Sequence, residues 1–363
     1  MAIICRFIAI RLLFGYYSAM SWKPKYTVTD KLLITIRQIG EVMGQLNAAS
    51  MPSSTLVQLE KEARALSVHA STSIEGNPLG LTDVRQLLKT KPQNIRDTER
   101  EILNYNTALE AIHEGLQSNQ WAFDVSTLER VQGLVVDKLM DDTADIGHLR
   151  KKHVLIRDPR KPGSVVFMPP DFKDVPKLTK QLMAFVNASF GNIDPIILAG
   201  LFHRQCVIIH PFMDGNGRST RLMTTAILGH GGIDLFKILS FENYYNQNIT
   251  RYFKAVGLVG DYYELADDID FTEWLEYFAG GILDELKRLQ RALPESQPVR
   301  LEEHLQLLLR HIEERGSITQ AEYGKLTNRS LPSRKTDFRK LVDLGLIEQR
   351  GGGRSTYYVL ASR

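Results

Sequence analysis

Past residue 20, apolar residues return at three- and four-residue intervals along most of the chain, the spacing that one buried stripe on a helix requires. Thr29–Ala48, Pro52–Ser73, Leu81–Leu88, Thr98–Ser118 and Val125–Leu139 read as helices on that ground. Lys173–Phe190, Pro195–Ile209, Arg218–Gly229, Asn243–Gly257 and Thr272–Arg291 continue the pattern. Strands are few. Two short β-prone runs, His153–Arg157 and Ser164–Met168, flank a turn containing Pro and Gly and predict a small hairpin. The stretch ALPESQPVRL, starting at Ala292, carries two prolines and reads as an extended spacer. Beyond it, Leu301–Glu314, Thr319–Leu326 and Leu331–Leu344 predict three more helices, and Ile347–Gln349 and Ser355–Leu360 two strands around RGGGR. The expected fold class is therefore mainly α, with a small β-hairpin and a C-terminal winged helix-turn-helix domain.

Composition narrows the classes. With 363 residues, 43% of them hydrophobic, the chain can build two or three cores. Cys5 and Cys206 stand far apart and offer neither a disulfide framework nor zinc spacing, so a reducing, cytoplasmic setting is expected. Arg6 and Arg11 interrupt the apolar start MAIICRFIAIRLLFGYYSA, which falls short of the roughly 18 uninterrupted residues of a membrane span. Residues 1–19 are read as an extension ahead of Met20, and no membrane partner is expected.

Chemistry concentrates in residues 210–221, HPFMDGNGRSTR. Gly215-Asn216-Gly217 reaches backbone angles closed to most residues, because glycine lacks Cβ and asparagine tolerates positive φ. Such a turn can aim several N–H groups at one point, and a helix starting near Arg218 adds its unpaired amides and its dipole. Phosphates fit there. Arg218 and Arg221, three apart, share a helix face and can fork onto phosphate oxygens. Asp214 suits Mg2+, which takes one or two carboxylates and fills its shell with phosphate oxygens. His210 is the only group in the string with an ordinary pKa near neutrality, so it is the expected general base for an attacking hydroxyl. Pro211 and Phe212 shape and anchor the loop.

The string matches HPFx(D/E)GNGRxxR and so resembles the signature of the Fic family, with Arg218 and Arg221 on the family's two arginines. The resemblance implies a Fic-type helical core and a protein adenylyltransferase, moving AMP from Mg-ATP to a Ser, Thr or Tyr hydroxyl of a target protein or of itself. ATP and Mg2+ are the implied cofactors. Residues 71–77, STSIEGN, resemble the family's inhibitory pattern (S/T)xxxE(G/N), with Ser71, Glu75 and Gly76 on the matched positions. Spacing puts Ser71 and Glu75 on one helix face, and Gly76 supplies a helix stop. The resemblance adds that Glu75 occupies Arg221 and denies it to the γ-phosphate. The hairpin resembles the flap with which family members hold a target segment by strand addition. Val165, Val166 and Phe167 are thereby implied beside the nucleotide, and Tyr252 falls where the family often carries a tyrosine near adenine.

Residues 295–363 hold twelve Lys/Arg against nine Asp/Glu, an excess equal to the whole chain's +3. Arg334, Lys335 and Arg339 are expected on the third helix of this module and Arg350 and Arg354 on its wing. Duplex DNA held through residues 301–363 and docking of a protein, a second copy in a homodimer included, both stay open. Two alternatives accompany the enzyme: a transcriptional regulator whose Fic core senses nucleotide, and a de-AMPylase in which Glu75 positions water. The expected organisation is an extension at 1–19, an N-terminal helical region with the inhibitory helix at 20–118, a catalytic core at 119–291, a linker at 292–300 and a winged helix at 301–363.

Overall fold

A computed structural model describes residues 22–48, 53–90, 92, 94–118, 120–157, 164–233, 237–292, 302–344 and 346–361. The extension at 1–19, the linker beyond Ala292 and the tip of the hairpin lie outside the described residues. The chain divides into two compact units, one built on Ala63–Leu286 with the stretch up to Gly40, the other on Lys287–Arg363 with Glu41–Glu62.

Helices α1 (Asp30–Ala48), α2 (Ser53–Ile74), α3 (Leu81–Thr90), α4 (Asp97–Gln117) and α5 (Val125–Val135) come first. Strands β1 (Ile156–Arg157) and β2 (Val165–Met168) precede α6 (Val175–Ser189), α7 (Pro195–Ile209), α8 (Asn216–His230), α9 (Phe241–Gln247) and α10 (Ile249–Val256). β3 (Gly260–Asp261), α11 (Tyr262–Leu265) and α12 (Thr272–Ala292) follow.

The centre of the first unit is α7, whose sequence PIILAGLFHRQCVII is apolar nearly all round and buried along nearly all its length. Its start is fixed by the Asp194 carboxylate, which accepts from the Ile196 amide at 2.8 Å, and by Pro195, where a missing N–H is harmless. Gly200 lets α12 approach. A Cβ there would meet Leu275 at 2.7 Å and Phe278 at 3.1 Å, and the Trp274 indole donates to the Gly200 carbonyl at 2.7 Å. A helix buried along nearly all its length thus ends one residue before His210. Among the described residues, no helix is long and apolar enough to cross a membrane.

Three departures from the sequence pattern have local causes. The helix expected to reach Leu139 stops at Val135, because the Asn104 side-chain amide takes the carbonyls of Val135 and Asp137, at 3.3 and 2.8 Å, across from α4. The single helix expected over Asn243–Gly257 breaks at Asn248 (φ −146°, ψ 75°), whose side chain accepts from the Arg251 amide and so starts α10 afresh. The hairpin gains a third strand. β1 pairs antiparallel with β2, Ile156 opposite Phe167, and β3 pairs parallel with the other edge of β2, Phe167 opposite Gly260. Gly260 and Asp261 have poor strand propensity, so tertiary pairing alone defines this strand.

In the second unit, α13 (Glu303–Arg315), α14 (Gln320–Leu326) and α15 (Leu331–Asp343) precede an antiparallel pair, β4 (Ile347–Arg350) and β5 (Tyr357–Leu360). Its core is Leu305, Leu308, Ile312, Ile318, Tyr323, Phe338, Leu341, Ile347 and Tyr358. Beneath it Asp337, 3% exposed, accepts from Arg329 Nε and Nη2 at 2.8 and 3.1 Å and from the Tyr323 hydroxyl at 3.0 Å. Asp337→Ala strands these donors and is expected to lower stability by about 2 kcal/mol, toward the low end for a broken buried pair because Arg329 is partly exposed. Urea unfolding of the whole chain followed by circular dichroism checks this; an unshifted transition would mean that the carboxylate is dispensable.

Candidate active site

After the last turn of α7, His210 takes left-handed backbone angles (φ 51°, ψ 62°), a conformation that must be held by its surroundings. Three buried polar side chains hold the loop. Arg150, 2% exposed, donates Nε to the His210 carbonyl at 2.8 Å, Nη1 to Lys152 O at 3.1 Å, and Nη2 to Pro170 O at 2.5 Å and Ile209 O at 3.4 Å. Its own amide donates to the Pro211 carbonyl at 2.9 Å. Asn216 brackets Phe212, accepting from its amide at 2.8 Å and donating to its carbonyl at 2.9 Å. Gln132 donates to the Asp214 carbonyl at 3.1 Å and accepts from the Gly147 amide at 2.6 Å. Gly215 caps α8 at φ 79°, where a Cβ would also meet Val136 at 2.8 Å.

His210 is half-buried, with Nδ1 facing the Val207 carbonyl at 3.4 Å. A proton on Nδ1 leaves Nε2 as the basic nitrogen. Burial pushes the imidazole down to about 4, so it is neutral at neutral pH.

The amides of Asn216, Gly217 and Arg218 lie in the first turn of α8, ahead of any intrahelical acceptor, at the positive end of the helix dipole. Glu75 stands over this turn. A Cβ on Gly217 would run into Glu75 Oε1, and that same oxygen accepts from Arg221 Nη2 at 2.7 Å. Arg221, 1% exposed, also donates Nε to Ser71 Oγ at 2.7 Å and Nη2 to Ser71 O at 2.9 Å. Burial opposes its charge, but the Glu75 carboxylate and the Tyr252 and Tyr105 hydroxyls outweigh it and hold the guanidinium above its ordinary value. α2 ends at Ile74, and Gly76 at φ 98° turns the chain directly after the glutamate. A surface cleft of about 880 Å3 lies elsewhere, lined by Arg204, Arg251, Lys254, Trp274 and Tyr277 among others. At the 210–221 loop the anion seat is taken by the chain's own carboxylate.

Residues 123–228 match the model of the Fic/DOC family. The chain carries a Fic domain. Among curated relatives it is 28% identical over 204 residues to "Protein adenylyltransferase Fic" of Drosophila mojavensis, a match covering 54% of this chain and 38% of that protein. The protein of the same name from Aedes aegypti is 24% identical over 280 residues, covering 73% of this chain and 52% of that one. The chain thus spans about two fifths to one half of the length of these relatives. A crystal structure of a Fic family protein from Desulfovibrio desulfuricans shares the fold, with TM-score 0.62 and 23% identity over 94% of this chain and 99% of that one.

Several expected residues sit differently from expectation. Arg218 does not fork outward beside Arg221: its Nη1 donates to Glu101 at 2.7 Å and its Nη2 to both oxygens of Asp214 at 3.1 Å. The Asn216 side chain braces Phe212, which leaves only its backbone amide for the seat. Tyr252 is 1% exposed, its hydroxyl 3.0 Å from His203 Nε2 and its ring stacked on Tyr245 at 4.5 Å. It packs in the core, with its hydroxyl turned toward His203. Val165, Val166 and Phe167 cannot line one surface, because successive strand residues point to opposite faces; Phe167 is buried, Val166 half-buried and Val165 exposed. Arg150, Gln132 and Glu101 are lone polar residues on helical or loop stretches with no motif to mark them, and Asn77, the last letter of STSIEGN, has no role that the sequence assigns.

Arg150 yields a sharp test. Arg150→Lys keeps the charge but loses the planar fork that reaches four carbonyls. Unfolding should show a loss of about 2 kcal/mol, and because the His210 loop loses its clamp, any activity read from this site should fall by about tenfold or more. Retained activity with retained stability would dismiss the clamp.

Proposed function

We propose that this protein is a protein adenylyltransferase, transferring AMP from Mg-ATP to a Ser, Thr or Tyr hydroxyl of a target protein or of itself, and restrained by Glu75 through Arg221. One observation carries the reading: the Glu75 carboxylate sits on Arg221 and against Gly217, in the place a nucleotide phosphate would take beside His210. The curated relatives' names support the reaction class. In the reaction, His210 Nε2 takes the hydroxyl proton as the oxygen bonds to the α-phosphorus, and the bond from that phosphorus to the bridging oxygen breaks to release pyrophosphate. The first-turn amides of α8 meet the charge that gathers on the phosphate oxygens, and Arg221, once Glu75 leaves, holds the γ-phosphate.

Asp214 is the residue that would hold Mg2+. Its carboxylate is 54% exposed at the mouth of the loop and is a hard oxygen donor, fitting a cation that completes its shell from phosphate oxygens. The metal supplies charge neutralisation on the triphosphate. In the small sheet β2 is central, with β1 and β3 on its two sides, so a target segment added as a strand would pair along an outer edge.

Residues 301–363 are read as a winged helix. Of the cations expected on its reading face, Arg334 donates to the Gln320 carbonyl at 3.1 Å and Arg350 pairs with Glu348 at 2.7 Å. The Arg354 side chain lies outside the described residues. Lys335 and Arg339 are exposed on α15. So small a basic patch favours docking of protein over binding of DNA, since affinity for duplex rests on many neutralised phosphates. Salt-sensitive binding of duplex that Lys335→Ala and Arg339→Ala abolish would reverse that preference.

Glu75→Gly should raise incorporation of labelled AMP from ATP by about tenfold or more, the scale of one buried charge-assisted pair, and His210→Ala in the same background should abolish it. Low incorporation in both would remove the proposal. In the Glu75→Gly protein the pH profile is a second check. A base displaced to about 4 is already unprotonated through the neutral range, so the rate should stay level there and fall only as pH drops toward that value. An acid limb near an ordinary histidine's pKa of about 6.5 would contradict the assigned environment.

A further inference from the structure

Directly after Glu75 and Gly76, Asn77 is 8% exposed and uses its whole side chain. Its Nδ2 donates to the Thr98 carbonyl at 2.8 Å and to Glu101 Oε2 at 2.7 Å, and its Oδ1 accepts from the Leu79 amide at 3.1 Å. Thr98 and Glu101 stand in the first two turns of α4. The other oxygen of Glu101 accepts from Arg218 Nη1 at 2.7 Å, and Arg218 in turn holds Asp214. The turn that carries the blocking carboxylate is therefore tied down twice, at Glu75 itself and two residues on.

We propose that Asn77 is a positioning residue for the blocking glutamate, latching its turn to the α8 cradle through Glu101 and Arg218. The inference rests on the adenylyltransferase reading and deepens its regulation. Glu75 follows the last helical residue of α2, where a side chain held only by its own ion pair would share its time between Arg221 and solvent; its 31% side-chain exposure leaves that path open. Asn77 removes the freedom by fixing the backbone on the far side of Gly76, the one residue of this turn able to swing widely. Glu101 suits the role because it already serves a buried guanidinium: its charge is balanced, so it can accept a second, neutral donor at little cost.

The experiment is a mutant cycle read by incorporation of labelled AMP from Mg-ATP, with thermal unfolding of each variant alongside. Asn77→Ala should raise incorporation by about tenfold, the scale of one hydrogen bond to a charged acceptor, and should add nothing to Glu75→Gly, because it acts only through that side chain. Asn77→Asp separates latching from packing: at equal size it sets a carboxylate against Glu101, so incorporation relative to Glu75→Gly should climb from about pH 5 to 8 as the new acid ionises and is repelled. A silent Glu75→Gly protein would bring down the adenylyltransferase reading and the latch with it. An active Glu75→Gly protein beside a folded but silent Asn77→Ala, or equal gains from Asn77→Ala in both backgrounds, would overturn the latch alone.

Discussion

A guanidinium that is 1% exposed must have an anion beside it, and Arg221 is such a group. It stands one turn into α8, so its charge adds to that of the helix's unpaired amides and dipole. The 210–221 loop is therefore an electrostatic demand whatever chemistry it carries. Within the resting chain Glu75 meets the demand, and in the proposed reaction the triphosphate would. Both ligands could not be served at once, so under the proposed function the apparent nucleotide affinity would be the intrinsic affinity reduced by the fraction of molecules whose glutamate has left. Regulation of this kind needs no second global shape, only two anions competing for one cation.

Rigidity around that cation comes from side chains that bond to backbone. Arg150, Gln132 and Asn216 each capture main-chain groups of the loop, and Phe212 and α7 supply the packed floor. The left-handed His210 is a consequence. Its carbonyl accepts from Arg150 and its amide donates to Cys206 O at 3.0 Å, so both sides of the residue are held. Preorganisation of this sort would make the amide cradle effective in the proposed reaction, because dipoles already in place need not be turned as it proceeds.

The helices were legible from periodicity because most of them bury one stripe, and α7 because a continuous apolar run of that length has few other uses. Boundaries were less so. Val135 and Asn248 end or divide helices through side-chain capture by Asn104 and by Asn248 itself, events between residues distant in sequence or silent in hydropathy. Strand β3 exists only because β2 offers an edge. In the site, the string HPFMDGNGRSTR singled out His210, Asp214, the Gly-Asn-Gly turn and Arg221 by their chemistry, whereas Glu75 stood out only through its resemblance to an inhibitory pattern. Tyr252 shows the opposite limit: an aromatic at helical spacing is equally a core residue, and here its hydroxyl turns inward to His203. Arg150 and Glu101 were invisible because an isolated charged residue in a sequence reads as surface until a partner is placed next to it.

The two motif arginines look interchangeable in the sequence and differ in what balances them. Arg218 is matched by Glu101, which stands inside the regular helix α4, and by Asp214, four residues before it on the braced loop. The backbone that carries each is held, Glu101 by its helix and Asp214 by Gln132. Arg221 is matched by Glu75, placed one residue past the end of α2 and against a glycine of positive φ. That carboxylate can leave while its helix stays formed. Ser71, a full turn inside α2, still accepts from Arg221 Nε, so the guanidinium is not left wholly bare when Glu75 departs. The partner at a helix end thus faces the arginine that would hold triphosphate in the proposed reaction, and the partners within α4 and the loop face the arginine that keeps Asp214 in place. This asymmetry of attachment follows from where each carboxylate sits in its helix, and it allows the seat to be emptied without dismantling the loop beneath it.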